Sequence, residues 1–167
     1  MIVQDIFMYS VAALLAIAAG WDLTSFTIPN LLSLVLIALF AVFAPIVGMP
    51  LAAVGWHVLA GVLALAIGFT LFALGYVGGG DAKLFAAIAL WVGLDYNLLM
   101  FAAYASLFGG ALAVALLSIR SLPMPAMLSG QGWLVRLHDA KSGIPYGVAL
   151  AAGALVVLGD VFRLAAA

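Results

Sequence analysis

Residues 78–94 read GGGDAKLFAAIALWVGL, and this stretch decides the fold prediction. Three glycines and Asp81 precede a short apolar run, residues 82–94. At a rise of 1.5 Å per residue a helix over this run reaches only about 20 Å, whereas the hydrocarbon core of a membrane is about 30 Å thick. We therefore expect one end of the helix to lie below the membrane surface. Irregular backbone at that depth must be buried in protein or line a wet cavity, and the glycine run is the candidate for it.

The amino-acid composition places the chain in a membrane. Of its 167 residues, 69% are hydrophobic and only 7% are charged, whereas soluble proteins carry roughly 25% charged residues. A soluble fold with so few charges could not cover its surface, so the expected solvent is lipid. The formal net charge of −1 lacks the basic surface that nucleic-acid binding requires, so no nucleic acid is expected as a partner.

Apolar runs separated by glycine, proline, asparagine and charged residues mark the expected helices. We predict an all-α integral membrane protein, a bundle of six transmembrane helices that forms one domain over residues 1–167. The predicted spans cover residues 3–21, 29–47, 51–77, 82–94, 98–119 and 144–164. The connector 120–143 mixes apolar and basic side chains, and it is predicted to lie on the cytoplasmic membrane surface.

Basic residues set the predicted orientation. If the N-terminus lies outside, only Arg163 faces outward, and four basic residues fall on the cytoplasmic side: Lys83, Arg120, Arg136 and Lys141. Four against one on short loops favours this arrangement under the positive-inside rule. With six spans, both termini are then outside.

Six aspartates are the only carboxylates of the side chains, because the chain has no glutamate. Counting spans places three of them on the outer side: Asp5, Asp95 and Asp160. The other three share the cytoplasmic side: Asp22, Asp81 and Asp139. Asp139 lies in the polar connector, where a solvated or ion-paired loop acid is the simplest interpretation. Asp81, considered without its neighbours, could be a helix N-cap, although that role does not require three glycines before it.

The side chains available for catalysis are few. The chain has no cysteine and two histidines, so neither a thiolate nucleophile, nor a metal site, nor a cofactor is predicted. His57 is expected to be a packed or interfacial side chain. Two facing carboxylates are sufficient for aspartyl proteolysis: one, ionised, takes a proton from water, and the other, protonated, donates to the scissile carbonyl. Asp22 and Asp81 are the candidates.

Three stretches together resemble a known protease family. Residues 78–83, Gly-Gly-Gly-Asp-Ala-Lys, resemble the Gly-x-Gly-Asp motif of intramembrane aspartyl proteases, in the form found in type IV prepilin peptidases. Residues 22–30 resemble that family's first motif, an Asp followed by Ile-Pro-Asn. Residues 145–147, Pro-Tyr-Gly, resemble its Pro-aromatic-Gly stretch at the last helix. The likeness covers about residues 20–155 in the order of the family.

The resemblance implies that Asp22 and Asp81 are the catalytic dyad of an aspartic-type endopeptidase in the inner (cytoplasmic) membrane. It implies removal of the short basic leader of a prepilin at the cytoplasmic face, with the lipid bilayer around both proteins and no cofactor. The prepilin partner carries a hydrophobic N-terminal helix. The residues expected to bind this substrate or to shape the site are Gly78, Gly79, Gly80, Lys83, Pro29, Asn30, Pro145, Tyr146 and Gly147.

One departure from the family pattern affects the expected activity. Larger bacterial members carry an N-terminal cytoplasmic insert with paired Cys-x-x-Cys, which is associated with N-methylation of the mature pilin. This chain has no cysteine and no such insert. It resembles the short TadV/CpaA-like peptidases of Flp (tight adherence) type IV pili, or the archaeal preflagellin peptidases. We therefore predict peptidase activity without methyltransferase activity.

Polar neighbours of the two acids leave alternatives open. Lys83 either holds an acidic residue of the substrate or anchors its helix at the membrane interface. Thr24, Thr27 and Asn30 are predicted to cap the second helix ahead of Pro29, with a role in substrate binding as the alternative.

Other classes of protein compete with the protease hypothesis. A small proton-coupled transporter also places acids in a membrane, but the sequence has no inverted repeat and both acids lie at one face. In a non-catalytic assembly subunit the acids would only cap helices or form ion pairs. A presenilin-like protease shares the Gly-x-Gly-Asp pattern, but its first motif is usually Tyr-Asp, whereas Trp21 precedes Asp22 here.

Overall fold

The computed structural model describes residues 2–125, 127 and 130–164. Of residues 163 and 164 it describes the backbone alone. Over this part the chain is all α-helical, as predicted. The helices are α1 (Ile2–Ser25), α2 (Asn30–Ile46), α3 (Leu51–Ala73), α4 (Gly79–Val92), α5 (Tyr96–Arg120), α6 (Gly132–His138) and α7 (Tyr146–Leu164). The side chain of Arg163, which the orientation argument placed outside, is not among those described.

Three of the helices, α1, α3 and α5, are long and apolar enough to cross a membrane. Helices α2 and α7 are apolar but shorter. Helix α4 has 14 residues, so its length of about 21 Å is less than the thickness of the hydrocarbon core. The short fourth helix is therefore present, whereas the count of six transmembrane helices stays a prediction.

Helix α4 lies at the centre of the molecule. It packs against α3, α2 and α7, and all of residues 86–92 are buried. A helix that is apolar and buried on every side belongs to the core of a bundle. It begins at Gly79 and not at residue 82 as predicted, because two of the glycines continue the helix and bring Asp81 into its first turn. It ends at Val92, and the C-cap residue that follows is Gly93, whose left-handed φ of 83° suits glycine.

Two other predicted helix ends differ from the structure. Helix α1 continues to Ser25, four residues past the predicted end, and then stops at Phe26, which has a left-handed φ of 55°. The Phe26 N–H donates to the Asp22 carbonyl at 2.8 Å, as expected for such a terminus. Helix α3 ends at Ala73 and not at residue 77, shortly before Gly75, which has a φ of 80°. The longer α1 places Asp22 inside a helix, in its last turn.

The buried core includes a cluster of aromatic rings contributed by α2, α4 and α7. Phe40 and Phe43 lie with their ring centroids 5.5 Å and 5.2 Å from that of Trp91, and Phe162 stacks on Trp91 at 5.6 Å. The Trp91 Nε1–H donates to the Leu36 carbonyl at 2.9 Å, so this buried polar group has its partner. Such pairs contribute roughly 0.5–1.5 kcal/mol each beyond area burial, and they fix α4 against its neighbours.

The other helices pack in two groups, one around α7 and one along α4. Helix α7 packs between α1 and α5, and α3 packs along α4. Helices α3 and α5 have little or no direct contact with each other, so a gap lies between them over α4. Helices α1 and α3 end, and helices α4 and α7 begin, at the same end of the bundle. We call this end of the bundle the carboxylate end.

The connector 120–143 contains the short helix α6, which sequence analysis did not predict. None of its residues is buried, which agrees with the mixed apolar and basic character of this segment. Residues 126, 128 and 129 of the connector lie outside the described part. Its position on the cytoplasmic membrane surface stays a prediction.

Gly153 provides a test of the packing between α5 and α7. A Cβ atom at this position would lie 2.7 Å from the Ala105 backbone nitrogen, whereas one at Gly159 on the same helix would have nothing within 4 Å. We expect Gly153→Ala to destabilise the fold by about 1–3 kcal/mol, because the helices must separate. Gly159→Ala should leave the stability unchanged or slightly raised, since alanine favours helix by up to about 1 kcal/mol. Thermal unfolding of both variants in detergent measures this, and an equal Tm for the two would contradict the packing.

Candidate active site

Asp22 lies at the end of α1 and is 4% exposed. Its Oδ2 accepts a hydrogen bond from the Gly147 N–H at 2.7 Å, and the Val148 N–H also interacts with this carboxylate. These N–H groups belong to the first turn of α7, where a helix has no internal acceptor for them. The N-terminal end of a helix stabilises negative charge. A buried carboxylate therefore joins the end of α1 to the start of α7.

Asp81 is the third residue of α4 and is partly buried. Its carboxylate reaches back to the backbone N–H of Gly78. Gly78 is the N-cap residue of the helix and has no side chain with which to cap it. Asp81 is thus not the N-cap, but it takes the helix-terminal position from which an acidic residue returns to the N-cap N–H. A Cβ at Gly78 would lie 2.9 Å from the Asp81 Oδ2, so this carboxylate position requires glycine there.

The two carboxylates meet at one backbone amide. The N–H of Gly147, which bonds to Asp22, also interacts with Asp81, and the carboxylates of Asp22 and Asp81 act electrostatically on each other. Two neighbouring carboxylates do not both ionise readily, because their charges repel. The geometry therefore suits a pair that shares one proton, which is the arrangement that aspartyl proteolysis needs.

Ile28, in the first of the three stretches that resemble family motifs, packs against a glycine of each of the other two. A Cβ at Gly80 would lie 3.1 Å from the Ile28 Cβ, and one at Gly147 would lie 2.6 Å from its Cδ1 and 2.8 Å from the Asp22 Oδ2. Side chains at these two positions would push the elements apart. Sequence reasoning quoted Ile28 within the first motif but gave it no role, and its 7% exposure assigns it to packing at the site.

The geometry can be compared with known proteins. The model of the type IV leader peptidase family matches residues 9–114 of the chain, which is more than half of its length. The chain belongs to the type IV leader peptidase family. The resemblance found in the sequence is thereby confirmed, and the chain is a protease of this type. A comparison with curated proteins and a comparison with solved structures each found no match.

The matched region of this leader peptidase includes both Asp22 and Asp81, while residues 145–147 lie beyond it. In the structure Pro145 is fully buried just before α7, and the exposed Tyr146 ring packs against Gly109 of α5. The short TadV/CpaA-like form of the family stays a prediction, as do the functional roles of the individual site residues.

Lys83 and Asn30 connect two of the motifs directly. The Lys83 Nζ donates to the Asn30 Oδ1 at 2.9 Å, and both side chains are exposed. The bond ties the second residue after Asp81 to the first turn of α2. Gly79, within the motif at residues 78–83, faces the Phe72 ring, which a Cβ would meet at 3.4 Å.

The prediction that Thr24, Thr27 and Asn30 cap α2 is wrong. The N-cap is Pro29, and no side chain makes a capping hydrogen bond there. Thr24 donates instead to the Gly20 carbonyl within α1 at 2.8 Å, and Thr27 pairs with a neighbouring serine hydroxyl. Both threonine hydroxyls therefore bond to the C-terminal part of α1 and not to the start of α2.

Two acids outside the pair, Asp95 and Asp139, have local roles. Asp95 is the N-cap of α5 and accepts from the Asn97 N–H at 2.7 Å. Asp139 accepts from the Lys141 N–H at 2.9 Å within the connector. His57 packs on the Phe40 ring at 5.2 Å, as expected for a packed histidine. The groups that act on the Asp22 and Asp81 carboxylates do not include these three side chains.

Two arginines hold the connector against the site, and sequence reasoning used them only as markers of orientation. Arg120 donates to the Leu137 carbonyl at 2.9 Å, the Ser142 carbonyl at 3.0 Å and the Gly143 carbonyl at 2.8 Å. Arg136 donates to the Thr24 carbonyl at 3.0 Å, near the end of α1. The sequence shows that Arg120 is a basic residue near the end of a predicted helix, but it does not show which three carbonyls Arg120 binds. Arg120 thereby fixes the segment that leads into α7.

Replacement of Arg120 tests this role. In Arg120→Lys the charge remains, but a single ammonium group cannot reproduce the planar fork of donors. We expect amide hydrogen exchange over residues 137–147 to become faster by about tenfold, which corresponds to about 1.4 kcal/mol of local stability.

The control for this experiment is Lys141→Ala, which removes an exposed basic side chain of the same connector. It should leave exchange at the start of α7 unchanged. If Arg120→Lys exchanges at the wild-type rate, the carbonyl bonds do not hold this segment.

Proposed function

We propose that Asp22 and Asp81 are the catalytic dyad of an aspartic endopeptidase that removes the short basic leader from a type IV prepilin of the Flp type. The observation that carries the proposal is the Gly147 N–H, which interacts with both carboxylates. A structural acid needs one helix terminus or one basic partner. Two acids brought from different helices to one amide are instead suited to sharing a proton.

The surroundings of the two acids suggest different starting states. Each carboxylate faces two backbone N–H groups, those of Gly147 and Val148 for Asp22 and those of Gly78 and Gly147 for Asp81. The shared Gly147 N–H, however, donates its hydrogen bond to the Asp22 Oδ2 at 2.7 Å, and such a donor stabilises a carboxylate. Asp22 is therefore the ionised member, and Asp81, beside it, carries the shared proton. Asp81 is the more exposed of the two, so its proton can reach a substrate carbonyl.

The proton transfers follow from these states. The Asp22 carboxylate takes a proton from water as the water oxygen attacks the scissile carbonyl carbon, while Asp81 donates its proton to the carbonyl oxygen. When the carbon–nitrogen bond breaks, the proton on Asp22 goes to the leaving amine. A hydroxyl proton of the tetrahedral intermediate returns to Asp81 as the carboxyl product forms. Both acids then regain their starting states.

Isosteric amides test the dyad. Asp22→Asn and Asp81→Asn should each lower prepilin cleavage by at least about a hundredfold, because each removes one of the two groups that transfer protons. The side-chain oxygen of Asn can still accept from the Gly147 N–H, so the fold should persist. Cleavage is measured as a mobility shift of the prepilin after co-expression.

Asp139→Asn and Asp95→Asn are the matched controls, since both acids act as local caps away from the Gly147 amide. They should cleave at the wild-type rate. Near-normal cleavage by either dyad variant would remove that residue from the mechanism.

We also propose that the chain spans the inner membrane six times, with both termini outside and the carboxylate end facing the cytoplasm. The apolar lengths of α1, α3 and α5 support membrane crossing, and the distribution of basic residues supports the orientation. Without cysteines the chain lacks the ligands associated with methylation in larger relatives, so the proposed activity is proteolysis alone.

Single cysteines test the orientation cleanly, because the chain has none of its own. Gln131→Cys lies beside α6 and Tyr96→Cys lies at the start of α5, and both positions are exposed. In intact cells an impermeant thiol reagent should label Tyr96→Cys and spare Gln131→Cys until the membrane is opened. The reverse pattern would overturn the orientation.

A further inference from the structure

Two apolar grooves run along α4 on either side of α3. The larger, about 660 Å³, lies between α2 and α3. The smaller, about 440 Å³, lies between α3 and α5 and has α4 and α7 as its floor. We call the smaller one the α3–α5 groove. Its lining includes Asp81, whereas the lining of the larger groove contains no acidic or basic side chain.

The α3–α5 groove opens sideways, because its two walls have little or no direct contact. Its α5 wall consists of small residues, which are Ala102, Ala105, Ser106, Gly109 and Gly110. A Cβ at Gly110 would meet nothing within 4 Å. Small residues on an exposed helix face let a second helix approach closely inside a membrane.

The length and polarity of the groove define what fits it. From Ala102 to Gly110 the α5 wall measures about 12 Å, which is roughly two turns of helix. Asp81 supplies the one carboxyl group of the lining, which has no basic side chain, and it lies at the carboxylate end. The Ser106 hydroxyl donates to the Ala102 carbonyl at 2.7 Å and so already has a partner within α5. The groove therefore complements a segment that is uncharged over two turns and ends at a peptide bond beside Asp81. A charged leader has no counterpart along these walls and must stay outside.

We propose that the α3–α5 groove binds the first two turns of the substrate's apolar helix, immediately after the scissile bond, and that this helix enters sideways from the lipid. The proposal rests on the proposed function, since it uses Asp81 as a catalytic residue. It follows that the enzyme selects substrates by a slim, apolar stretch after the cleavage site as well as by the leader.

Disulfide trapping tests the groove directly. In an Asp81→Asn background, which keeps the substrate uncleaved, Ser106→Cys is placed in the groove and Ala41→Cys in the larger groove as the matched control. Each is co-expressed with a prepilin that the wild-type chain cleaves, carrying one cysteine at successive positions of its apolar helix. Ser106→Cys should cross-link at positions on one face of the first two turns, and Ala41→Cys should not.

The outcomes separate this proposal from the proposed function. If the wild-type chain cleaves a prepilin but Ser106→Cys forms no cross-link, or Ala41→Cys forms an equal one, the groove assignment is wrong and lipid chains or another surface occupy it. If no type IV prepilin is cleaved by the wild-type chain, the proposed function fails and the groove proposal fails with it.

A kinetic comparison supports the trapping. Gly110→Leu fills the groove where a side chain has open space, so it should fold normally and raise the KM for the prepilin by about tenfold with kcat less affected, as expected when ground-state binding is lost. Ala41→Leu in the larger groove should stay within about twofold of the wild type. An unchanged KM for Gly110→Leu would overturn the assignment.

Discussion

The hydrogen bond from the Gly147 N–H to the buried Asp22 carboxylate determines how the carboxylate end is built. It joins the last turn of α1 to the first turn of α7, and the same amide interacts with Asp81 at the start of α4. Three helix termini therefore converge on one backbone group. Because no side chain at position 147 would fit between Ile28 and Asp22, glycine is required there for space and not for backbone conformation.

Much of this arrangement was predictable from sequence, for a physical reason. The run 82–94 is too short for a bilayer, and a short helix is indeed present there, but Gly79 and Gly80 belong to this helix, and the three glycines are half-buried or exposed and not enclosed by protein. Aspartates are costly in a membrane, so those next to apolar helices invited a functional explanation. Local constraints of length and polarity are visible in a linear sequence. The all-α fold and the family followed from them and from the motifs.

The features that the sequence did not predict depend on backbone groups or on distant partners. The Gly147 N–H and the carbonyls bound by Arg120 carry no residue-specific pattern. Asn30 looked like a helix cap because its partner Lys83 is 53 residues away in the chain. Helix α6 has no buried face, so it left no apolar period to recognise. Such contacts require knowledge of which elements are neighbours.

The short length of α4 has a consequence for the membrane around the enzyme. Asp81 is carried by a helix whose depth is set by packing against protein, whereas Asp22 is carried by α1, whose outer face is largely apolar and exposed. The apolar part of α1 covers residues 6–21, between Asp5 and Asp22, and is about 24 Å long, so both helices that carry an acid are shorter than a hydrocarbon core of about 30 Å. A bilayer thins around hydrophobic segments that are too short for it. A membrane with shorter acyl chains therefore matches the carboxylate end better, which makes acyl-chain length a determinant of how easily water reaches the two acids.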